Sequence, residues 1–225
     1  NDALHVVVID AGGGVTGDVG SILEKFANLS KAKYPLLEKV VDGRYQLIAG
    51  LGQGGLGTVY LALHIRLEQL FAIKFLDLET VGIQADAEQS EEYRRDFMEE
   101  ARVASLIHHD SVVRVTDFGE FEGLPYLVME FVAGTSLLGM LGHRGRFKIS
   151  EAINIAWGIA EALGSFHERK LIHRDLKPAN VLLDGDRAKL ADFGYSSAVV
   201  GDGADQSVCG TPRWMAPEVV FGRPY

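Results

Sequence analysis

The stretch from His173 to Gly194, HRDLKPANVLLDGDRAKLADFG, constrains the fold more than any other part of the chain. Two apolar runs, at 181–183 and 188–190, flank an Asp-Gly-Asp turn at 184–186, which is the pattern of a β-hairpin. A hairpin there sets Asn180 just before its first strand and Asp192 just after its second, so oxygens from both side chains face one hard cation. Asp175 and Lys177 crowd the same approach. Charged groups at this density need a strong ligand to offset their desolvation.

A second constraint lies upstream. From Tyr45 the chain reads YQLIAGLGQGGLGTVYLALH, in which Gly52, Gly54, Gly57 and Val59 fit G-x-G-x-x-G-x-V. Thr58, Val59 and Tyr60 favour strand over helix, so the turn is expected to be a hairpin lid over phosphates. A dinucleotide-binding turn would open a helix instead. Glycine is expected where a side chain would collide with the phosphates.

The run FAIKFL at 71–76 predicts an apolar strand interrupted by Lys74, which shares a face with Ala72 and Leu76. An inward lysine needs an anion. Residues 87–107 read as a helix with Phe97, Ala101 and Ala104 on its apolar stripe. Glu100 falls on that stripe and Glu99 turns away from it, so Glu100 is the expected partner of Lys74. Residues 112–119 and 125–131 alternate as two further strands about a turn at Glu122-Gly123. A helix is expected from 151 to about 167, with Ser150 as N-cap and Ile155, Ile159, Leu163 and Phe166 as its stripe.

Composition narrows the function classes. The 225 residues carry 22 Lys plus Arg against 31 Asp plus Glu, a net charge of −9, which opposes a broad nucleic-acid-binding surface. The single cysteine, Cys209, excludes an internal disulfide framework and suits a reducing cytosol. No apolar run approaches the roughly 18 residues of a membrane span, and no leader pattern is present. The expectation is a soluble cytoplasmic protein, and a start at Asn1 rather than Met reads as a piece of a longer one.

Taken in order, the glycine loop, Lys74, Glu100, HRDLKPAN, the DFG at 192–194 and the APE at 216–218 resemble the catalytic domain of protein kinases. The opening GRYQLIAGLGQGGLGTVYLA and the helix EEARVASLIHHDSVVRV are similar to bacterial eukaryotic-like Ser/Thr kinases. The resemblance implies an α+β, two-lobe fold: an antiparallel β-sheet N-lobe with one helix over residues 43–132, and a partial helical C-lobe over 133–225. It implies that Asp175 accepts the proton of a substrate hydroxyl, that Lys177 neutralises the γ-phosphoryl, and that Asn180 and Asp192 hold Mg2+. Lys74 with Glu100 would set the phosphates of ATP. Met129 would be the gatekeeper, with the backbone of Glu130 and Val132 on the adenine edge and Leu51, Val59, Ala72 and Leu182 as apolar walls. His173 and Phe193 would pack, and Arg174 would hold a phosphate on the segment from Tyr195 to Arg213. Ser207 is either a phosphorylation site or a solvated loop serine, with Asp205 nearby to substitute part of the charge. Thr211, in GTPRW, favours serine or threonine acceptors on a protein substrate.

Residues 1–42 read as the end of an upstream segment. Their DAGGG string faintly resembles the phosphate turn of actin-like ATPases, but no second motif of that family follows. The chain stops seven residues after Glu218, before the helices that complete the kinase C-lobe and the arginine that pairs with this glutamate in the family. One face of the 151–169 helix would then be open to a partner or to self-association. The alternative to an active kinase is therefore a truncated or pseudokinase-like fragment that binds nucleotide or serves as a scaffold.

Overall fold

Apolar residues from Val40 onward build a six-stranded antiparallel sheet whose strands, numbered along the chain, stand in the order β1-β2-β3-β4-β6-β5. The computed structural model describes residues 33–223 except 55–56, 81, 186, 193–196 and 199–209. The strands are β1 (Val40–Val41), β2 (Tyr45–Gly54), β3 (Gly57–His64), β4 (Gln69–Leu76), β5 (Val115–Phe121) and β6 (Leu124–Glu130). Phe193, Asp205, Ser207, Cys209 and the N-terminal glycines lie outside the described residues.

The described chain divides into two units, one of residues up to Met98 with Val115–Thr135, the other of Glu99–Arg114 with the residues from Ser136 on. In the first, the two faces of the sheet carry separate apolar clusters. Tyr45, Leu47, Tyr60, Ile73, Phe75 and Tyr126 pack on one face, and Ala49, Leu51, Val59, Leu61 and Ala72 on the other. A register shift between Leu47 and Ala49 lets residues two apart in β2 face opposite sides. The turn joining β1 to β2 spans residues 42–44, where Asp42 and Gly43 both take positive φ. The sheet thus begins ahead of the boundary expected near Asp42, and Tyr34, Leu36 and Val41 are buried in its first cluster. Glu122 (φ 51°) and Gly123 (φ 80°) make the two-residue turn of the β5–β6 hairpin. The strand expected from 112 begins only at Val115, because Val112 instead bridges Leu190 in the second unit.

Helix α1 (Ala87–Ser105) starts where Asp86 accepts from the Gln89 N–H at 2.8 Å while the Gln89 side chain accepts from the Asp86 N–H at 3.2 Å, a reciprocal cap. After the two-residue β7 (Thr135–Ser136), α2 (Leu137–Arg144) is capped by Ser136 Oγ on the Gly139 N–H. Helix α3 (Ile149–His167) begins with Lys148 as N-cap rather than Ser150. Glu151 is the reason: its carboxylate accepts the Lys148 N–H at 2.9 Å and closes the first turn two residues earlier than expected.

Strands β8 (Leu171–Ile172), β9 (Val181–Asp184), β10 (Arg187–Leu190) and β11 (Ser197–Ala198) complete the set, with β9 and β10 an antiparallel hairpin and β11 paired to β8. Gly158 lets α3 approach β10, since a Cβ there would lie 3.3 Å from Ala188. The stripe Ile149, Ile153 and Trp157 on α3 is exposed, Trp157 by 67%. The four-residue α4 (Pro217–Val220) follows. No helix among the described residues is long and apolar enough to cross a membrane.

Candidate active site

In the second unit the chain leaves β8 into residues 173–177, where Arg174 takes φ 63°, a left-handed value rare for a bulky side chain. A 3-10 turn at Pro178–Asn180 then feeds β9. His173 is buried against Phe166, with ring centroids 5.5 Å apart. Its Nδ1 accepts the Asp175 N–H at 3.4 Å and its Nε2 donates to Ala191 O at 3.3 Å, the pattern of a neutral imidazole. Burial pushes its pKa down, against the opposing pull of Asp192. His173 thereby ties the start of the loop to the end of the hairpin as a packing residue.

Asp175 is only 3% exposed, and its carboxylate is fixed by donors on both oxygens. Oδ2 accepts from Lys177 Nζ at 2.7 Å and from Asn180 Nδ2 at 3.0 Å. Oδ1 accepts from the Thr211 N–H at 3.0 Å and from the Thr211 hydroxyl at 2.7 Å. The same hydroxyl accepts from Lys177 Nζ at 2.8 Å. A buried carboxylate needs such compensation for lost hydration, and here that compensation also fixes where its oxygens point.

Asn180 Nδ2 donates to Asp175 twice, once to the carboxylate and once to the backbone carbonyl at 2.9 Å. Its Oδ1 is buried with no hydrogen-bond partner among the described residues. An orphaned buried oxygen is unfavourable by about 1–3 kcal/mol unless a ligand meets it. The Ala191 N–H donates to Asn180 O at 2.8 Å, so the hairpin brings Asn180 beside the residue that precedes Asp192. Asp192 itself takes φ 64°. No group of three His, Cys, Asp or Glu suited to a metal occurs among the described residues. An amide and a carboxylate oxygen fit magnesium, which keeps most of its shell as water and substrate oxygens.

In the first unit, Leu51, Val59 and Ala72 share one apolar cluster, with Met129 packed against it. Lys74 stands on the same face, cross-strand from Val59, with Nζ 5.7 Å from the Phe97 ring centre. Gly52 pairs with Val59 and Gly54 with Gly57 across the glycine hairpin. At Gly57 the structure supplies a reason for glycine beyond phosphate clearance: a Cβ would sit 1.8 Å from Phe75 O. Glu130 ends β6 opposite Phe71, and the carbonyl of buried Val132 accepts the Gly134 N–H at 2.9 Å.

On α1, Glu100 is 5% exposed, whereas Glu99 is exposed and accepts from Arg102 at 3.0 Å. The helical phase that separates these two glutamates in the sequence is therefore the phase observed. Leu182 is half-buried on β9 of the second unit.

A family model described as protein kinase domain matches residues 45–225. The chain belongs to the protein kinase family. It is 38% identical over 192 residues to the serine/threonine-protein kinase pkn2 of Myxococcus xanthus, covering 81% of this chain and 22% of that protein. It is 35% identical to PrkC of Bacillus subtilis, with 83% and 28% covered, and 38% identical to PknF of Mycobacterium tuberculosis, with 84% and 40% covered. The chain thus spans well under half the length of these curated relatives.

For a kinase domain, the residue that sequence reasoning undervalued is Thr211. Read along the chain it marks acceptor class only, yet it contacts both Asp175 and Lys177 across more than thirty residues. No periodicity or spacing predicts that contact, because Thr211 and the 173–177 loop share no strand or helix from which to phase one against the other.

Proposed function

We propose that this kinase domain transfers the γ-phosphoryl group of ATP to serine or threonine hydroxyls of proteins in signalling. The observation that carries the proposal is the Asp175 carboxylate, buried and aimed by Lys177, Asn180 and Thr211, next to the orphaned oxygen of Asn180. Asp175 orients the acceptor hydroxyl and takes its proton. Lys177 neutralises charge on the γ-phosphoryl, and Asn180 and Asp192 offer oxygens to magnesium. The metal, when bound, supplies charge neutralisation at the phosphate oxygens. Lys74 holds the α- and β-phosphates, and the loop of Gly52, Gly54 and Gly57 covers them. Leu51, Val59 and Ala72 wall the adenine, whose edge bonds the backbone of Glu130 and Val132. Catalysis is then positioning and electrostatic stabilisation of an in-line transfer. The chain's single cysteine suits a reducing compartment, and we place the reaction in the cytoplasm.

The test is labelled transfer from ATP-magnesium to a mixed peptide pool, followed by identification of the phosphorylated amino acid. Label on serine and threonine supports the proposal. Label on tyrosine alone would overturn the acceptor class, and ATP binding without transfer would favour the nucleotide-binding scaffold.

A further inference from the structure

We propose that Tyr34, ahead of the kinase domain proper, is a positioning residue that holds the root of the glycine-rich loop. The proposal rests on the reading of that loop as a phosphate cover. Tyr34 is 2% exposed and meets Tyr60 edge-on, with ring centres 5.8 Å apart and planes at 75°. Gly50 of β2 lies directly under the ring: a Cβ built on it would sit 2.2 Å from Tyr34 Cε1. The tyrosine therefore fills the space that Gly50 leaves. One residue earlier, Lys33 O accepts from Gln53 Nε2 at 3.0 Å, and Gln53 stands between the loop glycines 52 and 54.

These two contacts bracket a bend. The β2–β3 register shifts between Gly50 and Gly52, so the strand changes direction where it enters the loop. The segment that carries Tyr34 is itself anchored to the sheet. Leu47 O accepts the Glu38 N–H and Lys39 O accepts the Leu47 N–H, both at 2.9 Å, and the Tyr60 hydroxyl accepts the Leu36 N–H at 3.4 Å. Residues 33–39 thus form a strap with its base on β2 and its tip on the loop.

A loop rich in glycine has more backbone freedom to lose than any other on meeting a ligand. Fixing its root in advance lowers that loss and raises affinity for whatever the loop grips. The loop glycines would grip phosphates, whereas the nucleoside would meet Leu51 and Val59 at the loop's ends, so the strap acts more strongly on ATP than on adenosine.

The experiment measures Kd for ATP-magnesium and for adenosine by calorimetry on the 225-residue chain, with melting temperatures in parallel. Tyr34→Ala is expected to weaken ATP about five- to tenfold and to leave adenosine within about twofold, and Tyr34→Phe to restore both. Gln53→Ala alters a half-buried side chain outside the apolar clusters and is expected to weaken ATP alone by about two- to threefold. Equal losses for ATP and adenosine in Tyr34→Ala, or none, would overturn the proposal and leave the ring as core packing. If Tyr34→Ala does not fold, unchanged ATP affinity in Gln53→Ala overturns it. A wild-type chain that binds adenosine as tightly as ATP would show that the loop does not grip phosphates, and would remove both readings together.

Discussion

Replacing Thr211 by valine keeps the shape of the side chain and the backbone N–H that donates to Asp175 Oδ1, and removes only the hydroxyl. That hydroxyl makes two bonds to charged partners, at 2.7 Å to Asp175 and 2.8 Å to Lys177. Hydrogen bonds to charged groups contribute about 1.5–3 kcal/mol each. Lys177 keeps its bond to Asp175 Oδ2, so the net loss is nearer one bond than two. A loss of about 2 kcal/mol in the transition state corresponds to a rate reduction of roughly 30-fold. The assay is steady-state phosphoryl transfer to a serine peptide. The kcat should fall by roughly that factor while KM for ATP stays within about twofold, because the Thr211 hydroxyl bonds Asp175 and Lys177 at the transfer site. Thr211→Ser should recover most of the loss. Valine within threefold of wild type, or serine as poor as valine, would refute the argument from the hydroxyl.

Three further outcomes are expected. Gly57→Ala places a methyl group against Phe75 O, and should destabilise the fold by about 2 kcal/mol and lower Tm by roughly 4–8 °C in a melting curve. The depressed pKa of His173 makes stability pH-dependent: below about pH 6.5 the unfolded chain binds a proton that the folded one refuses. Stability is therefore full above that pH and falls as pH drops toward the folded value, by at most about 1.4 kcal/mol per unit. Urea midpoints at pH 7.5 and 5.5 should differ less in His173→Gln than in wild type, and an equal difference would contradict the assignment. Asn180→Ala should weaken the magnesium dependence of ATP binding at least about tenfold, read by titrating the metal at fixed nucleotide; an unchanged dependence would leave the orphaned Oδ1 without its expected ligand.

Much of this architecture is readable before any coordinates. The β9–β10 hairpin follows from two short apolar runs about Asp184-Gly185, and α1 from the helical stripe of Phe97, Ala101 and Ala104. The burial of Glu100 rather than Glu99 follows from helical phase alone. What escapes is whatever depends on a break in period or on distant pairing. The register shift after Leu47 changes which residues of β2 face which cluster, and no residue type announces it. Tyr34 stands before a proline, and proline marks only local punctuation of the chain. That the Tyr34 ring is matched to a glycine sixteen positions on is a tertiary fact. Ser150 looks the better cap by residue type, yet the Glu151 carboxylate selects Lys148. The Thr211 contact is of the same kind, joining two irregular segments.

The most direct test compares wild type and Asp175→Asn in phosphoryl transfer and in nucleotide affinity on the same preparations. Asparagine keeps the size of the side chain and one accepting oxygen, and loses the capacity to take a proton. The account predicts that transfer falls by at least about 100-fold, the scale of general-base loss, while Kd for ATP-magnesium stays within about threefold. Transfer that survives the substitution, or nucleotide affinity that collapses with it, would contradict the claim that the buried carboxylate at 175 is the catalytic centre of this chain.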